Sequence, residues 1–204
     1  MVIWFRRFGE IPGITYESPA DVSGRKLPGR DAVPEIHVFE LEGKRHETLW
    51  WPARGGGGSA SPAHERAFGD FSGVTTPALL KNCHEGLELP GEPSDYHFLI
   101  QGSANALWAR RREEPQFLAD MERLCQLDIQ LIEAVPGAVQ YESGEGASFY
   151  SVAAFSLLIN LYEREGALHE ALDIAERASR CGQGDDVREQ LVERIAMVES
   201  EHHE

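Results

Sequence analysis

The stretch Ser148–Arg180, SFYSVAAFSLLINLYEREGALHEALDIAERASR, decides how this 204-residue chain is read. Its first half carries apolar residues at Val152, Phe155, Ile159 and Tyr162, and again at Ala154, Leu158 and Leu161, as two adjacent stripes at helical spacing. A helix with two apolar stripes is buried from two sides. The second half sets Leu168, Ala171, Leu172, Ala175 and Ala178 on one stripe and leaves His169, Glu170, Asp173, Glu176 and Arg177 elsewhere. That describes a one-sided helix lined with small residues, which let a neighbouring helix axis approach closely. Gly166 stands between the halves, where a residue that takes positive φ without steric cost can close one helix and turn the chain into the next. The stretch is predicted to be a helical hairpin.

These residues resemble a tetratricopeptide repeat, a helix-turn-helix unit of about 34 residues with large and small signature positions. Phe155, Leu158 and Tyr162 match the large positions of its first helix, and Ala171 and Ala178 match the small positions of its second. Three positions depart from the pattern: Ile159 replaces a small residue, Ala175 an aromatic one, and Gln183 the proline that commonly follows. The resemblance covers residues 152–183, with an extended first repeat expected at 94–135. It implies a mainly α fold of antiparallel hairpins stacked as a short solenoid. The first helix of each hairpin, at 94–112 and 148–165, would then line a concave face that holds a peptide or protein segment.

Working outward, Thr76-Pro77 opens the helical part, because threonine before proline is a favoured helix start. A short helix is expected to about Glu85. Ser94 is read as the cap of a longer one to about Arg112, and Pro115 starts another to about Val135. A last helix, about Asp185–Glu199, carries a stripe at Val187, Leu191, Ile195 and Val198. It would cap the stack with a polar outer face. Before residue 76 the pattern differs. Residues 1–34 read as loop after a short apolar start at Val2–Phe8, with a short strand expected at Ile14–Glu17. EIHVFELEG and KRHETLWW then form a β-hairpin around Gly43-Lys44. Two strands alone are marginal in water, so its apolar residues need a surface to lie on. Failing that, Trp50 and Trp51 would form an exposed contact patch. Gly55–Ser59, GGGGS, has the composition of a flexible linker, designed ones included. The organisation expected is an irregular region with a β-hairpin at 1–54, a Gly/Ser-containing linker at 55–75, and a helical repeat-like domain at 76–204.

The net charge of −15 is unevenly placed. Residues 1–75 hold nine Lys or Arg against ten Asp or Glu, whereas residues 76–204 hold ten against twenty-four. An acidic helical surface repels phosphate backbones and anionic lipids, which argues against nucleic-acid and membrane partners and favours a basic protein or peptide. No apolar run is long enough to span a bilayer, and the start does not read as a signal peptide. Cys83, Cys125 and Cys181 lack paired spacing, so they are expected to be reduced, as in the cytoplasm.

Little in the sequence carries chemistry. No second histidine follows His64, His84 or His169 at the spacing that puts two metal ligands on one helix face, so no metal or cofactor is expected. Asp128 is the one polar residue within the stripe Phe117, Leu118, Met121, Leu124, Cys125, Ile132. A buried carboxylate needs a partner, expected among Asn105, His97 and Tyr96 on the preceding helix. Arg110, Arg111 and Arg112 form the only basic cluster of the acidic half; beyond completing a helix dipole, Arg111 and Arg112 could anchor a carboxylate-bearing peptide. The candidate binding residues are therefore Arg111, Arg112, Tyr96, Asn105, Asp128, Trp50 and Trp51, with none proposed as catalytic. The leading expectation is a helical-repeat interaction module. The alternatives are an acidic inhibitor or immunity-type protein that masks a basic partner, and a small enzyme with its site near Asp128, His97 and Tyr96.

Overall fold

The structure, a computed structural model, describes residues 6–41, 43–53, 56–68, 71, 73–143 and 146–201. Val2–Phe5 of the apolar start, Gly55 of the glycine run and the tail histidines His202 and His203 lie outside the described residues. The chain is mainly helical, with three strands β1 (Glu35–Leu41), β2 (Lys44–Ala53) and β3 (Gly56–Gly58) near its start. Helix α1 (Pro62–Ala67) is short, and α2 (Thr76–Leu87), α3 (Pro93–Arg110) and α4 (Leu118–Ala134) follow. A second hairpin of strands, β4 (Gln140–Ser143) and β5 (Gly146–Phe149), leads to α5 (Ala153–Glu165), α6 (Leu168–Arg180) and α7 (Asp185–Glu201). No helix among the described residues is long and apolar enough to cross a membrane.

The predicted hairpin is α5 and α6. Gly166 closes α5 at φ 78°, ψ 7°, while Ala167 N donates to Tyr162 O at 2.8 Å, so a left-handed residue satisfies the last carbonyls and reverses the chain. Phe155, Leu158 and Ile159 of α5 are buried, as are Ala171, Ala175 and Ala178 of α6. Helix α5 packs against α3 and α4 as well as α6, which is why two of its stripes are apolar. Helix α7 packs on α6 and buries only Leu191 and Ile195.

Four expectations differ from the structure. Helices α2 and α3 are capped one and two residues earlier than read, at Thr75 and Glu92, and Ser94 lies inside the first turn of α3. Among the described residues, 14–17 form no strand; Thr15 N donates to Gln130 Oε1 of α4 instead. Ser148 and Phe149 belong to β5 rather than to the start of the helix. The segment 55–75 is not a plain spacer, because β3 pairs with β2 and α1 packs on α2 and α3. Gly57 is suited to that pairing: a Cβ there would stand 1.7 Å from Trp50 Nε1, so only a glycine lets the indole lie across the strand.

The boundary expected at residue 75 does not coincide with an edge of the core. Phe8, Ile11, Ala63 and Ala67 share one buried cluster with Tyr96, Leu99 and Ile100 of α3. Phe8 meets the Tyr96 ring edge-on at 5.7 Å, and the single hydroxyl hydrogen of Tyr96 is shared between Leu89 O, 2.8 Å from Oη, and Arg6 O. The N-terminal loop lacks periodicity, so its anchoring rests on a few large side chains that no repeat in the sequence announces.

Candidate functional site

The buried carboxylate is where a partner choice was open. Asp128 of α4 and His97 of α3 are both fully buried, with Asp128 Oδ1 and His97 Nδ1 2.8 Å apart. Burial pushes the Asp128 carboxyl above its ordinary value, while the hydrogen bond and charge of His97 pull it back. The second atom of each group, Asp128 Oδ2 and His97 Nε2, is buried without a hydrogen-bond partner among the described residues. Asn105 is exposed and Tyr96 is tied to backbone carbonyls, so neither is the partner. With both groups sealed from solvent, the pair joins α3 to α4 and meets no substrate in this conformation. Nearby thiols are equally closed: burial pushes Cys83 up to about 12 and Cys125 further. Among the described residues no group of three or more His, Cys, Asp or Glu could hold a metal ion.

The remaining candidates are dispersed. Trp51 is 1% exposed and lies with Leu49 on the inner face of β2, so it offers no surface to a partner. Alternation puts Trp50 on the other face, 37% exposed and stacked on His37 at 5.0 Å. Arg111 lies over the Trp108 ring at 4.3 Å and donates through Nη1 to Trp108 O at 2.8 Å, while Arg112 is exposed. Arg110 turns away from both and donates to Thr76 Oγ1 at 2.8 Å.

A site emerges from the way α3, α5 and α7 line up. Ala153 N donates to Gln101 Oε1 at 2.8 Å near the start of α5, and Arg164 reaches Trp108 near its end, so α3 and α5 run in the same direction. Val152 N donates to Gln183 Oε1 at 3.1 Å, and Arg194 Nη1 donates to Glu163 Oε1 at 2.9 Å, so α7 follows α5 in the same sense. The two glutamines satisfy orphan N–H groups of α5, which has no side-chain cap of its own. Gln183 is the position where the repeat pattern has proline, and a proline there would lack this amide.

Between α5 and α7 lies a groove of about 430 Å³. Val152, Phe155, Ile159 and Val187 form its apolar wall, with Ala178 of α6 beneath. Asn160, Gln190 and the Arg194–Glu163 pair form a polar rim. Apolar depth gives affinity and rim amides hydrogen-bond a backbone, a combination that suits an extended chain. None of the candidate binding residues lines this groove, although Val152, Phe155, Ile159 and Val187 were read as stripe residues and 148–165 as part of a concave face; for its rim, Asn160, polar and exposed on a helix otherwise rich in apolar residues, was the available signal. Comparison of the chain with protein-family models, with curated proteins and with solved structures finds no match.

Proposed function

We propose that this chain is a helical-repeat interaction module, similar in arrangement to tetratricopeptide repeats, that holds an extended segment of a partner protein. In this reading α3–α4 and α5–α6 are successive hairpins and α7 is the capping helix, with α3, α5 and α7 lining the concave side. The observation that carries the proposal is the groove between α5 and α7, apolar in its depth and rimmed by Asn160 and Gln190. Packing supports it: α5 touches both members of the preceding hairpin, as stacked repeats require, and small residues Ala171, Ala175 and Ala178 bring α6 close.

The test is selection of peptides from a random display library on the immobilised full chain, followed by affinity measurement on single peptides. Asn160→Arg with Gln190→Arg fills the rim without touching the core. Affinity is expected to fall by about tenfold or more with Tm unchanged. Selected peptides that bind this variant as tightly as the parent would remove the groove as the site, and a library that yields no binder would remove the function.

A further inference from the structure

We propose that the face shared by α3 and α5 carries two anchors for one peptide segment: an aromatic or large apolar side chain at one end and a carboxylate at the other, with about five residues between them. This rests on the peptide-binding reading above and names the class of peptide.

The first anchor is a run of partly exposed rings. Phe68 is 60% exposed and Tyr150 44%, and each meets Phe98 of α3 with ring centroids 5.7 Å apart. Three rings, from the end of α1, from α3 and from the link between β5 and α5, thus make one apolar surface where nothing among the described residues covers them fully. Exposed aromatics gathered in this way mark a contact site, whereas scattered ones do not.

The second anchor is cationic. Arg111 lies over Trp108 at 4.3 Å and Arg164 at 5.8 Å, and exposed Arg112 adjoins them. Among the described residues no carboxylate stands within ion-pair distance of Arg111, Arg112 or Arg164, and Arg111 Nε is buried without a hydrogen-bond partner. In a chain of net charge −15, two guanidinium groups over one indole without an ion-pair partner among the described residues, with exposed Arg112 next to Arg111 in sequence, form a local positive site. Charge complementarity selects a carboxylate, and planar guanidinium groups held on a ring offer it a forked donor set.

Both anchors lie on one line. Phe98, Gln101, Asn105 and Trp108 recur at three- and four-residue steps, hence on one face of α3, and Arg112 follows in the turn after its end. From Phe98 to Arg112 is about 14 positions, or roughly 21 Å along α3 and the turn that follows it. An extended chain advances roughly 3.3 Å per residue, so about six residues span the gap. Asn105 and Asn160 stand between the anchors, placed to bond a peptide backbone.

The experiment is a fluorescence-anisotropy titration of the full chain with labelled peptides carrying Trp and a Glu-Glu pair, separated by two, five or eight Gly/Ser residues and made in both orders. A Trp/Lys-Lys peptide with the five-residue spacer is the charge control. The five-residue Glu-Glu spacer, in one order, is expected to bind about tenfold tighter than the other spacers and the Lys-Lys control. Arg112→Glu with Arg164→Glu, and separately Phe68→Ser, should remove that advantage; all three positions are exposed, so Tm stays unchanged. Binding indifferent to spacing, charge and these variants but lost with Asn160→Arg and Gln190→Arg would overturn the two anchors and leave the groove function standing. No binding by any of these peptides would overturn the anchors alone, since the library selection judges the groove separately.

Discussion

The hairpin α5–α6 was read from its apolar stripes and the hairpin β1–β2 from runs of β-branched and aromatic residues around a turn, yet one is a core and the other an arm. Phe155 on α5 is 3% exposed; Phe39 on β1 is 48% exposed, and every residue of β1 is exposed. Period fixes which side chains share a face, but burial needs a second surface. Helix α5 meets α3, α4 and α6, whereas β1 is an edge strand whose partner is β2 alone. Strand β2 is half satisfied, because Leu49 and Trp51 are buried while Lys44, Arg45 and His46 are exposed like β1. Arms of this kind are stabilised by cross-strand pairs such as Phe39 on His46, ring centroids 5.5 Å apart, rather than by burial.

The largest effect is expected where the helical region is most closed. Asp128→Ala leaves His97 buried with its Nδ1 unpaired and should cost about 3–5 kcal/mol, read as a fall in the urea midpoint. The carboxyl is held above its ordinary value, so its stabilising share is complete below that value and is lost as pH rises through the folded one. Asp128→Asn removes the titration. The stability difference between parent and variant should therefore move in the variant's favour as pH rises above the ordinary carboxyl range. A difference that stays flat would mean that the pair does not exchange its proton with pH.

Next in size is a matched substitution in the two hairpins. Phe155→Ala should cost about 3–5 kcal/mol, and Phe39→Ala about 0.5–1 kcal/mol, because only the first leaves a cavity. Equal losses would erase the distinction between core and arm. The smallest difference is expected for Gly166→Ala and Gly43→Ala, both at positive φ, 78° and 74°. Each should cost about 1 kcal/mol, since the strain is in the backbone and does not depend on what surrounds it. If Gly43→Ala is silent while Gly166→Ala is not, the arm relaxes its turn and is less well defined than the helical region.

The segments best read in advance were those whose cause is local. Thr76-Pro77 marked the start of α2 to within one residue, Gly166 closes α5, and the stripes of α4 and α5 come from the 3.6-residue turn, so local signals announced them. Asp128 stood out because it interrupts such a stripe, and His97 was among its expected partners. The N-terminal loop, β3 and α1 were harder, since Phe8, Gly57 and Ala63 matter through what they touch rather than through any period. Asp95 shows the limit: its carboxylate accepts from Ser61 Oγ at 2.7 Å and Glu92 N at 2.9 Å, joining the start of α1 to the start of α3 across thirty-four positions.

By itself, then, the sequence determined a mainly helical chain, the α5–α6 hairpin with its glycine turn, the placement of charge, and a buried carboxylate in need of a partner. Each follows from neighbours within a turn or two of the backbone. Only the tertiary structure decided that His97 rather than Asn105 or Tyr96 meets Asp128, and that Trp51 is inside while Trp50 is not. Only it put Arg164 beside Trp108 and Gln183 on the start of α5. Those outcomes depend on which faces meet when helices stack, and a period names a face without naming what it will pack against.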